Sequence, residues 1–232
     1  MNSTPELTAE QIQAEQASFI SKVYGWMTAA LIITGFIAVW CASNPSAIEI
    51  IFGNKLVFWG LIIAEFVCVA ALVSVVSRIS STTATLIFIG YSALNGLTLS
   101  GIFLIYTSES IANTFFITAA TFGLMSAYGY FTKRDLTTIG NLAFMALLGL
   151  IIASVVNIFL ESEMLYWITT YAGVLIFVAL IAYDTQKIKE LNIIGNEGTE
   201  EDKKEAIMGA LTLYLDFINL FLYLLRIFGR RK

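Results

Sequence analysis

Seven times along this chain an apolar run of roughly twenty residues recurs, about the length a helix needs to cross a hydrocarbon core. The runs are Tyr24–Ala42, Leu56–Val76, Thr83–Tyr106, Ala112–Phe131, Ile139–Leu160, Met164–Tyr183 and Ile207–Phe228. In lipid every backbone N–H and C=O must find its partner within the protein, so only helices and closed barrels span. Each run is apolar on all sides and about twice as long as a barrel strand, which selects helices. The expected fold is all-α: a polytopic membrane protein with seven transmembrane helices. Only 13% of the residues are charged, against about a quarter in soluble domains, and no polar stretch is long enough to fold alone. The chain therefore divides into a polar tail, residues 1–21, and one transmembrane domain, residues 22–232.

Inside these runs ionisable residues are few, and Asp216 is the costliest. It sits in the middle of the last run, where insertion scales charge a carboxylate about 2.5–3.5 kcal/mol. Gly209, Thr212, Asp216, Asn219, Tyr223 and Arg226 follow one another at steps of three and four, so they share one helix face. Such a stripe must look onto protein or water. Thr212, Asn219, Tyr223 and Arg226 are thus candidates to line a pathway beside Asp216, although Arg226 lies near enough to the run's end to snorkel. Glu65, in the middle of the second run, is a further lining candidate; its alternative is a protonated carboxyl bonded to a neighbouring helix. Arg78 ends the second run, where it serves in gating or as an ordinary anchor. Asp184 closes the sixth, and with Lys187 and Lys189 following, a plain loop carboxylate is its alternative. Two carboxyls in one dry site cannot both ionise cheaply, so such a pair shares a proton, and a nearby Arg opposes this. Pairing of Asp184 with Asp216 requires the sixth helix to continue buried beyond Asp184, or the seventh to begin early through Glu205–Gly209.

Small residues recur at two places, Ser92, Gly96 and Ser100 on the third run and Ala146, Gly149, Ala153 and Asn157 on the fifth, which predicts close helix packing there. Lys and Arg set the orientation. Lys22, Arg78, Lys133, Arg134, Lys187, Lys189, Lys203 and Lys204 fall on one side; Lys55, Arg230, Arg231 and Lys232 fall on the other. That bias puts the N-terminus inside. Seven full spans then put the basic C-terminus outside, whereas a re-entrant last segment would return it. The first twenty residues are acidic and polar, unlike a secretory leader, so the first span is expected to be retained. The lipid bilayer is the implied environment, and the net charge of −4 offers no nucleic-acid footprint. Cys41 and Cys68 lie within or beside apolar runs and read as small buried hydrophobes.

Several segments together carry a family resemblance. "AYDTQKI" around Asp184 and "LYLDFINLFLYLLRIF" around Asp216 are joined by "VYGWMTAALIITG", "YSALNGLTLSGIF" and "YGYFTKRDL". From Lys22 onward the chain resembles the Bax inhibitor-1 (transmembrane Bax inhibitor motif) family, and is most similar to its bacterial YccA/YbhL-like branch. The resemblance implies a central last helix wrapped by the other six, a bacterial inner (plasma) membrane location with a cytoplasmic N-terminus, and a pH-sensitive calcium leak. It implies that Asp184 and Asp216 form a hydrogen-bonded, proton-sensing dyad, with calcium passing near them as permeant ion rather than cofactor. It also implies that Arg78 interacts with the dyad.

Two other classes of function bear on this sequence. A regulatory interaction protein is the alternative, because relatives are associated with a membrane-bound quality-control protease or with cell-death and stress control. An enzyme is not expected. The absence of His removes Ser-His triads and the HExxH motif, and no Lys lies inside a run to carry a retinal Schiff base. "NEGTEEDKKE" lacks the alternating ligands of a calcium loop and reads as a solvated charged segment.

Overall fold

A computed structural model describes residues 8–232. It contains nine α-helices: α1 (Ala9–Ala42), α2 (Pro45–Gly53), α3 (Lys55–Val75), α4 (Ser81–Leu99), α5 (Ile102–Ile105), α6 (Ser108–Phe131), α7 (Thr137–Leu160), α8 (Glu163–Leu191) and α9 (Glu200–Phe228). A 3-10 turn, Val76–Arg78, follows α3. Seven helical segments are long and apolar enough to cross a membrane, so the all-α, seven-span architecture holds. Burial is greatest on α9: 67% of its apolar window is buried, against 6–33% for the other six.

The helices start earlier and end later than the apolar runs. α1 begins at Ala9, where Thr8 and Gln11 form a reciprocal capping box, so residues 9–21 are helical. α2 occupies what reads as a loop: Asn44 accepts from the N–H groups of Ser46 and Ala47, and Pro45 stands at the first helical position. The third span breaks at Ser100–Gly101 into α4 and α5. α8 runs on to Leu191 and α9 begins at Glu200, so most of the long polar segment between the two aspartates is helical.

The chain forms two compact units. The first comprises residues up to Ser100 together with Ile188–Leu211. In it α1 packs against α4, and α3 packs against α4. Ser92 and Ser100 are fully buried there. A Cβ on Gly96 would meet Thr34 O at 2.8 Å, so the small-residue stripe of the third run is a packing surface. The α8–α9 loop belongs to this unit and is fastened to α1. Glu15 accepts from Gly195 N (2.8 Å), Ser18 Oγ donates to Glu197 (2.6 Å), and Lys22 Nζ donates to Asp202 (2.9 Å). Asp202 is fully buried and also accepts from Gly198 N. Gly195 and Gly198 take the positive φ this tight course requires. Lys22→Met strands the Asp202 carboxylate, and is expected to lower stability by about 2–3 kcal/mol in a thermal unfolding assay in detergent. Lys22→Arg is expected to recover most of the loss.

The second unit comprises Gly101–Lys187 with Thr212–Lys232. Its C-terminal end is pinned: Thr107 N donates to Arg230 O, and Lys232 N donates to Ile105 O, each at 2.9 Å. α9 is continuous over 29 residues, so the last segment is a single span rather than a re-entrant one. The stripe expected to pack on α7 does so only in part: Ala146 and Gly149 are exposed, Ala153 and Asn157 are half-buried, and the fully buried positions are Gly140, Ala143 and Leu150. The physical reason is that α7 turns its closest face to α8, where Gly140 abuts Tyr183.

Candidate functional site

The second unit gathers its polar side chains where α8 meets α6, α7 and α9. α8 is held close by missing side chains. A Cβ on Gly129 of α6 would fall 2.1 Å from Ala182 O, and one on Gly140 of α7 would fall 2.3 Å from the Tyr183 ring. These two contacts fix the turn of α8 that leads into Asp184.

Asp184, Thr185 and Gln186 then make three different connections. The carboxyl of Asp184 is hydrogen-bonded to that of Asp216 on α9. Thr185 Oγ1 donates to Ser126 Oγ on α6 (3.2 Å). Gln186 bridges the α6–α7 loop, accepting from Leu136 N and donating to Arg134 O, both at 2.9 Å. Thr185 and Gln186 are buried. They were not among the residues anticipated, since a polar pair after the apolar run reads as loop until the helix is seen to continue. Gln186→Ala leaves the buried Leu136 N–H without a partner and is expected to cost about 1–3 kcal/mol, read as a lower unfolding temperature.

Asp216 is 5% exposed, and its Oδ2 has no hydrogen-bond partner. Its neighbour Phe217 sits edge-on to Phe115 and Phe122 of α6, with ring centroids 5.4 and 5.5 Å away. A hydrogen bond between two carboxyls requires a proton on one of them, because an ionised carboxylate only accepts. Both routes to pairing named from the sequence are realised: α8 continues past Asp184, and α9 starts ahead of Ile207.

The rest of the α9 stripe is distributed along the helix. Thr212 and Asn219 are half-buried, and Asn219 Nδ2 donates to Leu215 O (2.8 Å). Tyr223 stacks on Phe177 (5.9 Å) and lies against Gly173, where a Cβ would be 2.7 Å from its ring. Arg226 stacks over Tyr166 and Tyr223, 5.4 and 5.0 Å from their centroids, and borders an open cavity of about 560 Å³ with Asn157, Glu161, Glu163 and Arg231. α6 adds a buried stripe that the sequence reading passed over: Ser110, Thr114, Thr118, Phe122 and Ser126, at steps of four. The hydroxyl of Thr114 is buried with no hydrogen-bond partner.

The remaining candidates lie in the first unit. Arg78 is exposed at the end of the 3-10 turn and forms no ion pair among the described residues. Glu65 is half-buried on α3 and bonded to Thr98 and Asn95 of α4. Cys41 and Cys68 are free thiols. Among the described residues no three His, Cys, Asp or Glu side chains gather to hold a metal.

Comparison with known proteins agrees with this architecture. The family model described as inhibitor of apoptosis-promoting Bax1 matches residues 16–232. The inner membrane protein YbhL of Escherichia coli K12 is 51% identical over 223 residues, covering 96% of this chain and 95% of the relative. A protein of Borreliella burgdorferi is 46% identical, with 92% of each chain covered. A membrane protein of Streptococcus pyogenes serotype M1 is 36% identical, with 91% of this chain and 92% of the relative covered. A match across nearly the whole length, on seven spans in an all-helical chain, places this protein in the Bax inhibitor-1 family of membrane proteins.

Proposed function

We propose that the protein is a non-enzymatic, pH-sensitive cation leak, with calcium as the permeant ion, gated by protonation of the Asp184–Asp216 pair. The observation that carries the reading is the meeting of the Asp184 and Asp216 carboxyls inside membrane-spanning helices. Such a pair is held by a shared proton. A full proton complement removes charge from the site, and its loss places two like charges together. Either change alters the force between α8 and α9, the two helices that supply the aspartates. Polar faces on α6 and α9, including Thr114, Thr212 and Asn219, supply groups able to replace part of an ion's hydration. The family resemblance supplies the direction, opening in acid, and assigns Arg78 to the ionised pair. The Lys and Arg bias supports a cytoplasmic N-terminus in a bacterial inner membrane. The deciding experiment is calcium flux into proteoliposomes as a function of pH, wild type beside Asp216→Asn.

A second reading, a regulator of a partner such as a membrane-bound protease, is favoured by the family description, which names inhibition rather than transport. It is tested by deleting the N-terminal tail and measuring partner capture. The deletion should stop at residue 7, because Glu15 and Ser18 of α1 hold the α8–α9 loop. Partner loss with flux intact would assign the tail to regulation alone.

A further inference from the structure

α3 is the least covered of the spanning helices, with Leu72 its one buried side chain. Midway along it, among the exposed side chains Ile63, Phe66 and Val67, stands Glu65. Its carboxyl is turned to α4. Glu65 Oε1 lies 2.7 Å from Thr98 Oγ1, and Oε2 lies 3.4 Å from Asn95 Nδ2.

Among the described residues Glu65 forms no ion pair. α3 packs on α2, α4 and the 3-10 turn. α4 carries no charged residue, and α2 carries only Glu49. Lys55 and Arg78 stand at opposite ends of the α3 segment, roughly 15 and 20 Å from Glu65 along the axis. Cys68, one turn on, and Tyr91 of α4 are the ionisable groups that sense Glu65, and neither brings a positive charge.

The hydrogens can be counted. Thr98 Oγ1 is within bonding distance of two acceptors, Glu65 Oε1 at 2.7 Å and the Asn95 carbonyl at 3.0 Å. A hydroxyl has one hydrogen to give. With Glu65 ionised, both contacts must divide it, and the shorter one brings a full negative charge onto a shared proton beside lipid. With Glu65 as the acid, every contact has its own hydrogen: Glu65 O–H donates to Thr98, Thr98 O–H donates to Asn95 O, and the Asn95 amide donates to Oε2. A neutral carboxyl also avoids the cost of a charge at that depth.

We propose that Glu65, Thr98 and Asn95 form a second proton-binding site within the membrane, built wholly on α3 and α4, in which Glu65 carries the proton. The site does not depend on the leak reading, since it involves neither aspartate of the pair.

The test is an infrared difference spectrum at neutral pH, wild type minus Glu65→Gln, in lipid. The expected result is loss of one carboxylic-acid carbonyl band in the variant. Loss of carboxylate bands instead would overturn the site. Should Glu65→Gln fail to fold, the wild-type protein in vesicles is treated with dicyclohexylcarbodiimide and its peptides are weighed. The acid proton moves to a carbodiimide nitrogen as the carboxyl oxygen adds to the central carbon. The O-acylisourea so formed rearranges to a stable N-acylurea, with nothing released. An adduct on Glu65 supports the site, and recovery of that peptide wholly unlabelled counts against it.

Discussion

Asp216→Asn is expected to make calcium flux into proteoliposomes flat with pH, where the wild type changes by up to about tenfold per pH unit through a one-proton gate. Asparagine keeps the size and the hydrogen bond: its amide donates to an ionised Asp184, and its carbonyl accepts from a protonated one. What it removes is the second titrating group, so the site no longer passes between a shared proton and paired charges. Asp184→Asn is expected to do the same. The double variant should add little, because each single change already dissolves the coupling. Persistence of the wild-type pH profile in both single variants would end the gating model. Wild-type flux absent at every pH, in protein shown to be folded and inserted, would shift weight to the regulatory reading.

Gly129→Ala is the second change with a large expected effect. The added Cβ would lie 2.1 Å from the backbone oxygen of Ala182, and no rotamer change can relieve a contact with backbone. α6 and α8 must separate, which pulls on the Thr185–Ser126 and Gln186 bonds and on the turn bearing Asp184. The expected cost is about 3 kcal/mol or more, at the top of the overpacking range, seen as a lower unfolding temperature in detergent. Gly123→Ala, six residues earlier on the same helix, meets nothing within 4 Å. Its exposed position should instead gain up to about 1 kcal/mol from helix propensity. Equal effects at the two glycines would refute the close-packing account of how Asp184 is placed.

The seven spans were legible because their apolar length leaves helices as the natural solution in lipid. What the apolar pattern could not show is where helices continue into polar sequence. Residues 9–21 and 185–191 read as tail and loop, yet they are helical because charged and polar groups find partners there: Glu15, Ser18 and Gln186 each bond to a loop. For α1 a local signal existed, the Thr8–Gln11 capping box. Asp216 was conspicuous because a carboxylate within an apolar run has few explanations. Its pairing with Asp184 came from the family resemblance and not from hydropathy, which ended the sixth span at Tyr183. The buried hydroxyls of α6 escaped because Ser and Thr are inexpensive at any depth, so their spacing by four drew no attention. On α7 small residues drew the eye to the exposed face, while Gly140 made the closest contact.

The fastening of the α8–α9 loop to α1 bears on biogenesis. Ser18 and Lys22 bond to partners 179 and 180 positions later in the chain, so these contacts cannot form until nearly all of the protein has been synthesised. α1 leaves the ribosome early and must wait beside the bilayer with its lysine and acidic side chains unmatched. Closure of the first unit is therefore a late, high-contact-order step. A chain that ends before residue 195 leaves Glu15, Ser18 and Lys22 without these partners.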